Sequence, residues 1–250
     1  MNTRVLVLLV ILMLAGCSTG GGWRQGDLRQ AIAAIPERTP EDQARYSQRK
    51  PAEVLSFIGV KPGDRVIDIL ASGGWYSEVL SAAVGQEGLV YAQNPPRLLQ
   101  FRDGFYEKQL VARLANNRLP NIFRLDANFS DLNIEPESLD AAMLALNFHD
   151  LYYLMGPEVA ESGLRTIHGL LKPGGVLALI DHHGGQNDHS TNEAAHRINQ
   201  ALVEQLAVSN GFRVAATSEV LRNSDDDYSK NVFDESVKGR TDRFVLKLVK

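Results

Sequence analysis

The stretch Val66-Ile-Asp-Ile-Leu-Ala-Ser-Gly-Gly-Trp-Tyr-Ser-Glu-Val-Leu80 decides the fold of this chain. It joins an apolar run typical of a buried strand, a glycine turn, and a helix that begins directly after the turn. Asp68 stands near the strand end, and Gly73 and Gly74 allow backbone to approach a ligand at the helix N-terminus. A strand, glycine turn, helix and second strand form the opening unit of a nucleotide-binding α/β sheet.

A plain strand-to-helix turn that merely needs small residues is the alternative interpretation. The usual alternating glycines are absent, because Leu70 and Ser72 stand where a Gly-x-Gly-x-Gly loop has glycine.

Strands and helices alternate along the rest of the chain. This rhythm predicts an α/β, Rossmann-like fold: an open, mostly parallel seven-stranded sheet with helices on both faces and an antiparallel C-terminal edge. The polar segment 223–240 is long for a loop, and it is either a functional cover or a disordered connection. The predicted strands are 65–70, 89–93, 121–125, 139–146, 176–180, one beginning at 211, and 241–249; the predicted helices include 27–35, 40–50, 51–58, 75–84, 96–116, 157–170 and 193–209.

The N-terminus predicts export. Residues 5–14 form an apolar run that is too short to span a bilayer but suits a signal-peptide core. The ending Leu14-Ala-Gly-Cys17 resembles the lipobox of bacterial lipoproteins, which implies cleavage before Cys17 and lipid attachment to its sulfur. The expected organisation is a signal peptide at 1–16, an anchor, spacer and N-terminal helices at 17–48, and one domain at 49–250. The expected location is the periplasmic face of the envelope, at the outer membrane.

The charge composition of the chain favours some classes of ligand over others. The net charge is -4 and the charges are interspersed, so the basic face that nucleic-acid binding needs is not expected. Small-molecule substrates are favoured. Cys17 is the single cysteine of the sequence, so an internal disulfide is not expected.

Several segments carry a family resemblance. Asp68, the Gly73-Gly74 turn, Asp126-Ala127 and Leu171-Lys-Pro-Gly-Gly175 follow in the order typical of class I S-adenosylmethionine-dependent methyltransferases, which the chain resembles. More narrowly, it is similar to a family of exported predicted methyltransferases over residues 49–250. That similarity is carried by Arg49-Lys-Pro-Ala-Glu53, Val60-Lys-Pro-Gly63, Gly73-Gly-Trp75, Asn147-Phe-His-Asp150, Asp181-His182, His196-Arg-Ile198, Lys230-Asn-Val-Phe-Asp234 and Gly239-Arg-Thr-Asp-Arg-Phe244.

The resemblance implies S-adenosyl-L-methionine as cofactor and assigns residues to it. The backbone of Gly73 and Gly74 would pass under the methionine moiety, and Asp68 would orient the loop or the ligand's ammonium. Asp126, with the backbone of Ala127, would lie beside the adenine amino group. In the structural alternative Asp126 only caps a turn.

The ribose position departs from the family pattern. An acidic side chain normally meets the ribose hydroxyls after the second strand, but Gln93 or Asn94 takes that place here. An amide still bonds a hydroxyl, although more weakly than a carboxylate does. Alternatively, Asn94 only begins a turn before Pro95. Ser72 replaces a family glycine and would be strained if its φ were positive.

Candidate catalytic residues follow the fourth and fifth strands. Methyl transfer needs an in-line acceptor and a base when the acceptor carries a proton. His149 is the expected base and Asp150 its orienting partner, with Asp181 and His182 on the opposite wall. His196, on the following helix, would point into the same space, with the neighbouring Arg197 fixing an anionic group.

Other interpretations of this cluster stay open. Each histidine can be a hydrogen-bonded structural residue. Zinc or another divalent ion could bind the residues Asp181, His182, His183, His189 and His196, but their spacing matches no familiar metal motif and no metal is expected.

Three functions therefore remain. The first is an exported, lipid-anchored methyltransferase that acts on a small or envelope-associated acceptor. The second is a binding module that keeps the fold without catalysis, which the altered glycine loop favours. The third is metal-assisted hydrolysis at the histidine cluster.

Overall fold

The computed structural model describes residues 22–250, so the predicted signal peptide and Cys17 lie outside the described residues. The strands are β1 (Arg65–Ile69), β2 (Leu89–Gln93), β3 (Ile122–Leu125), β4 (Leu139–Ala145), β5 (Leu171–His182), β6 (Arg213–Ser218) and β7 (Arg243–Val249). The helices are α1 (Gln25–Ala33), α2 (Pro40–Arg49), α3 (Pro51–Ile58), α4 (Trp75–Val84), α5 (Pro96–Leu99), α6 (Phe101–Leu114), α7 (Phe148–Tyr153), α8 (Pro157–Leu170), α9 (His189–Ala195) and α10 (Gln200–Ser209).

The strands form one sheet in the order β3-β2-β1-β4-β5-β7-β6. β1 to β5 run parallel, and β7 is antiparallel to both β5 and β6. The predicted seven-stranded, mostly parallel sheet with an antiparallel C-terminal edge is confirmed.

Both faces of the sheet are buried, which explains the continuous apolar runs of its central strands. In β1, Val66 packs into one core with α1, α3 and α4, whereas Ile67 and Ile69 pack into a second core with α7, α8 and α10. Leu28 and Ile32 of α1 are fully buried in the first core. Within residues 22–250, the helices lack the combined length and apolarity that crossing a bilayer requires.

Two predicted helices are interrupted. The helix expected over 96–116 is divided: α5 ends at Leu99, and within α6 the residues Arg102, Asp103 and Gly104 adopt positive φ of 48°, 54° and 75°. The prediction of one continuous helix there was wrong, and it overlooked the turn signal of Asp103-Gly104.

The helix expected over 193–209 is also wrong as a single element. α9 ends at Ala195, and His196 follows with a φ of 54°. Ile198 then lies beside β5, where its amide donates to the His182 carbonyl (2.9 Å). The Asn199 side chain accepts from Ala201 and Leu202 and starts α10. Pairing with β5 therefore overrides helix propensity, and His196 lies in the connection and not on a helix.

Candidate functional site

The strand order reverses between β1 and β4, and their carboxyl ends share one edge of the sheet. Ligands of open α/β sheets bind outside such a switch point. Leu70 after β1 and Leu146 after β4 have φ of 53° and 61°. Asn147 joins the two ends, since its Nδ2 donates to the carbonyls of Leu70 (3.2 Å) and Ala145 (3.0 Å). Such left-handed residues cost about 1 kcal/mol or more each and cluster at functional sites, so we take this edge as the candidate site.

The turn after β1 has a left-handed residue at every second position. Leu70, Ser72 and Gly74 have φ of 53°, 54° and 75°, which is the conformation that alternating glycines would adopt freely. The strain anticipated for Ser72 under positive φ is therefore present. The Ser72 hydroxyl donates to the Leu70 carbonyl (3.2 Å) and offsets part of it.

Two buried amides after β2 hold this turn. Asn94 Oδ1 accepts from the Ser72 amide (2.7 Å), and Asn94 Nδ2 donates to the Ser72 carbonyl (3.2 Å). Gln93 Oε1 accepts from the Leu70 amide (3.1 Å), while its Nε2 donates to the Ala127 carbonyl (2.7 Å). Both side chains are fully buried. Asn94, Gln93 and Ala127 are thus engaged with one another and the turn.

The other face of the turn packs against α6. A Cβ on Gly73 would overlap the side chain of Gln109, and one on Gly74 would meet Leu110 Cδ1 at 2.8 Å. Arg113 Nε donates to the Gly73 carbonyl (2.7 Å). Close packing of α6 is a sufficient reason for both glycines.

Asp68 is buried beneath the turn and accepts a hydrogen bond from Ser77 Oγ of α4 (2.6 Å). Burial raises the pKa of its carboxyl to about 7, against the opposing hydrogen bonds from Ser77. Asp68 therefore links β1 to the first turn of α4, in keeping with an orienting role.

Arg49, at the end of α2, lies over the start of α4. Its guanidinium carbon is 4.7 Å from the Trp75 ring centroid and 5.3 Å from that of Tyr76. Burial lowers the pKa of Arg49 to about 10, so it stays charged at neutral pH. Within residues 22–250 its guanidinium has no hydrogen-bond acceptor, in contrast to the bonded Arg113. Sequence reasoning gave Arg49 no role, although it opens one of the family-like segments.

Asp126 lies at the rim of a cavity of about 590 Å³ beside the end of β3. Its carboxylate binds Arg124 (2.6 Å), which also binds Glu107 of α6 (2.6 Å). Pro96 and Leu99 add apolar walls to the same cavity. The cavity therefore has an apolar side at Pro96 and Leu99 and a charged side at which the Asp126 carboxylate is paired with Arg124.

His149 lies in the first turn of α7, shortly after β4, and is held by Asp181 at the end of β5. Its backbone amide donates to Asp181 Oδ2 (2.8 Å), and its Nδ1 lies 2.7 Å from Asp181 Oδ1. Asp181 is fully buried and also accepts from the His182 amide. Because a carboxylate only accepts, Nδ1 carries the hydrogen and Nε2 is the free basic atom of His149. Burial opposes a charged ring, but Asp181 and then Asp150 raise the pKa of His149 overall.

Asp150 and His196 complete the cluster. Asp150 Oδ1 lies 3.3 Å from His149 Nε2 and 3.0 Å from His196 Nδ1. His182 stands on the far side, with its ring centroid 5.9 Å from that of His149 and its Nδ1 2.7 Å from Thr241 Oγ1. Burial, and then the charge of His149, hold the pKa of His182 well below its usual value, so His182 is neutral. The predicted catalytic residues are thus brought together.

The remaining histidines and Arg197 have other partners. His183 Nδ1 accepts from the Gly185 amide (2.9 Å), and the His189 ring packs against Tyr153 with centroids 4.7 Å apart. Arg197 is fully buried and pairs with Asp226 through two hydrogen bonds, of 2.8 and 3.1 Å. Its charge is therefore neutralised within the protein.

The 223–240 segment is ordered and packs against the domain, so the prediction of a disordered connection was wrong. Besides the Arg197–Asp226 pair, the Val232 amide donates to the Ala195 carbonyl (3.1 Å). The Phe233 ring lies 5.1 Å from the His196 ring and is 63% exposed, so it forms an apolar rim at the histidine cluster.

Comparison with known proteins supports the fold. No protein-family model matches the chain. A 2-phytyl-1,4-naphtoquinone methyltransferase of Trichormus variabilis is 27% identical over 133 residues, which is 53% of each protein. The chain thus spans about half the length of this curated relative.

Two solved structures match nearly the whole chain. A SAM-dependent methyltransferase from Aquifex aeolicus has a TM-score of 0.62 at 19% identity and covers 91% of this chain and 98% of its own. The cyclase SpnF has a TM-score of 0.58 at 13% identity, with 90% and 92% covered. The chain therefore has the class I methyltransferase fold, as predicted. At such identities the fold alone is shown, and it also serves a protein named for a different reaction.

Proposed function

We propose that this chain is an S-adenosylmethionine-dependent methyltransferase that acts on a small acceptor. The observation that carries the proposal is the placement of His149 at the switch point, where a buried carboxylate fixes Nδ1 and leaves Nε2, which faces Asp150, as the nitrogen that can accept a proton. Methylation of an acceptor that carries a proton requires a base with a defined proton-accepting nitrogen beside the ligand-binding turn.

Residues of this chain fit the cofactor at three places. Arg49, charged and without an acceptor among residues 22–250, would bind the methionine carboxylate. Asp126 would accept from the adenine amino group at the apolar cavity beside β3. Asp68, through Ser77, would hold the turn that lies under the ligand. When bound, the cofactor supplies an electrophilic methyl group.

The acceptor side is built for proton removal. Nε2 of His149 accepts the acceptor's proton, and Asp181 stabilises the cationic ring that results. The neutral His182 and the apolar Phe233 favour a partly apolar acceptor. The name of the 2-phytyl-1,4-naphtoquinone methyltransferase relative makes naphthoquinones a first class to assay.

Calorimetric titration with S-adenosylmethionine and S-adenosylhomocysteine tests the proposal. We expect saturable binding, weakened at least tenfold in Arg49→Gln and in Asp126→Ala. His149→Ala should retain binding and lose methyl transfer to every acceptor that the natural chain methylates. Absence of binding at millimolar cofactor would reject the proposal.

A binding module on this fold is the second candidate, and the structure of the turn favours it. Gln93 and Asn94 stand where the family has its ribose-binding acid. Their side-chain amides are hydrogen-bonded to the turn. Binding of the cofactor without transfer to any acceptor would support this candidate.

We also propose that the protein is exported and lipid-anchored through Cys17, on the evidence of the lipobox-like Leu14-Ala-Gly-Cys17. Cys17→Ala should move the protein from the membrane fraction to the soluble fraction. Retention in the membrane fraction would refute the anchor.

A further inference from the structure

Three side chains at the switch point bring potential metal-ligand atoms together. One ring nitrogen of His149, one carboxylate oxygen of Asp150 and one ring nitrogen of His196 all lie within 4.8 Å of one another. The two separations that involve Asp150 Oδ1 are 3.3 Å and 3.0 Å. A four-coordinate ion with bonds of about 2.0–2.1 Å places its ligands about 3.3 Å apart, so these separations suit a shared ion.

The first ligand, His149, is held in the tautomer that a metal ion requires. Asp181, fully buried, takes the hydrogen of His149 Nδ1 and leaves a lone pair on Nε2. A carboxylate behind a ligating histidine fixes the ring and strengthens it as a donor. His149 Nε2 and Asp150 Oδ1 lie 3.3 Å apart, so a cation, either a proton or a metal ion, can be shared between them.

The third ligand, His196, has a strained backbone conformation. His196 has a φ of 54°, a left-handed conformation that a residue with a Cβ rarely adopts. Pairing of Ile198 with β5 and the end of α9 impose this conformation and turn the ring toward Asp150. Strain of this kind is typical of residues placed for function.

We propose that His149, Asp150 and His196 bind one divalent transition-metal ion, of which zinc is the expected natural example. Two imidazoles and one carboxylate form a recognised set for such ions, and three protein ligands leave a position open for a small molecule. The ligands differ from those considered from sequence alone, because only His196 is shared with that group.

The ion and the proton compete for one atom. In the metal-bound protein Nε2 of His149 is a ligand, so His149 acts as the base of the proposed methyl transfer only in the metal-free protein. An acceptor hydroxyl then binds the open position, its O–H bond breaks, its oxygen stays on the metal, and the proton passes to water. The metal site itself does not rest on the proposed methyl transfer.

Cobalt titration of the EDTA-treated full-length protein tests the site. Co²⁺ should give visible d–d absorption that saturates at one ion per chain, and equimolar Zn²⁺ should abolish it. His149→Gln should weaken Co²⁺ binding at least 100-fold, and Asp181→Asn about 10–100-fold, as for other partners of a metal-bound histidine.

Two further variants separate ligation from folding. His196→Asn tolerates the left-handed backbone and should fold with an unchanged melting temperature, yet lose Co²⁺ binding. His189→Gln, whose ring packs on Tyr153 outside the cluster, should bind Co²⁺ as the natural chain does.

Absence of cobalt absorption, or Co²⁺ binding by His149→Gln and His196→Asn as tight as that of the natural chain, would overturn the proposal. Cofactor titration of the same metal-free samples is an independent measurement, so failure of the metal site and failure of the methyltransferase proposal give different results.

Discussion

The turn after β1 and the cluster after β4 and β5 lie at the same edge of the sheet but are built differently. In the turn, Asn94 forms two hydrogen bonds with Ser72 and leaves little polar capacity for a ligand. In the cluster, Asp181 orients His149 and leaves Nε2 free, with Asp150 3.3 Å away. The polar groups of the turn are thus already hydrogen-bonded to one another, whereas the cluster leaves a nitrogen and a carboxylate that can bind a further group. Chemistry on this chain is therefore expected to depend on the cluster first.

The largest effect is expected at the buried carboxylate of the cluster. Asp181→Asn keeps the shape but presents an amide to Nδ1, which moves the ring hydrogen of His149 to Nε2 and removes the base. We expect turnover to fall on the order of 1000-fold with cofactor affinity nearly unchanged. The measurements are methyl transfer and the ¹⁵N shifts of the His149 ring. If cofactor affinity fell by the same factor as turnover, the cluster would serve cofactor binding as well, and the proposed difference between the turn and the cluster would be wrong.

The second-largest effect is expected at Asp68, beneath the turn, and it concerns how protein stability depends on pH. The pKa of Asp68 is raised to about 7, so the folded protein keeps a proton that the unfolded chain loses above its usual pKa of 3.8. Stability from Asp68 is therefore complete below about pH 4 and lost as pH rises to about 7, by up to about 4 kcal/mol. Asp68→Asn, which cannot ionise, should remove this part of the pH dependence. Chemical denaturation of both proteins at pH 5 and pH 8 measures it, and identical pH profiles would contradict the assignment.

A smaller effect is expected at the amide that holds the turn. Asn94→Ala leaves the Ser72 amide and carbonyl without their partner, which should cost about 2 kcal/mol of unfolding free energy. Asn128→Ala is a matched control, because Asn128 bonds Asp131 at the surface. Thermal unfolding compares them. If Asn94→Ala lost cofactor binding without losing stability, the turn would be a ligand-binding element after all.

The smallest effect on stability is expected from relieving the backbone strain of Ser72 in the turn. Ser72→Gly removes a Cβ from a residue with a φ of 54°, and we expect a gain of about 1 kcal/mol in stability. Ser72→Ala, which keeps the Cβ and loses the hydroxyl, should be less stable than the natural chain. Unfolding free energies of the three proteins decide this, and a destabilised Ser72→Gly would mean that the hydroxyl bond to Leu70 outweighs the strain.

The sequence by itself determined the sheet and the edge where the site lies. Apolar runs such as 139–146, turns at glycine and proline, and the alternation of elements are local patterns, and local patterns report secondary structure. Because parallel strands end at one edge, the residues after β4 and β5 were also predictable neighbours. Thus His149, Asp150, Asp181 and His182 were correctly grouped from their positions alone.

Only the tertiary structure decided how each of these side chains is used. Asn94 became a tether of Ser72, and Arg197 became the partner of Asp226, because each met a group distant in sequence. His196 reached Asp150 only because Ile198 paired with β5 and broke a helix that its neighbours favour. Local propensity could not foresee these outcomes, since each is decided by a long-range hydrogen bond or strand pairing that outweighs it.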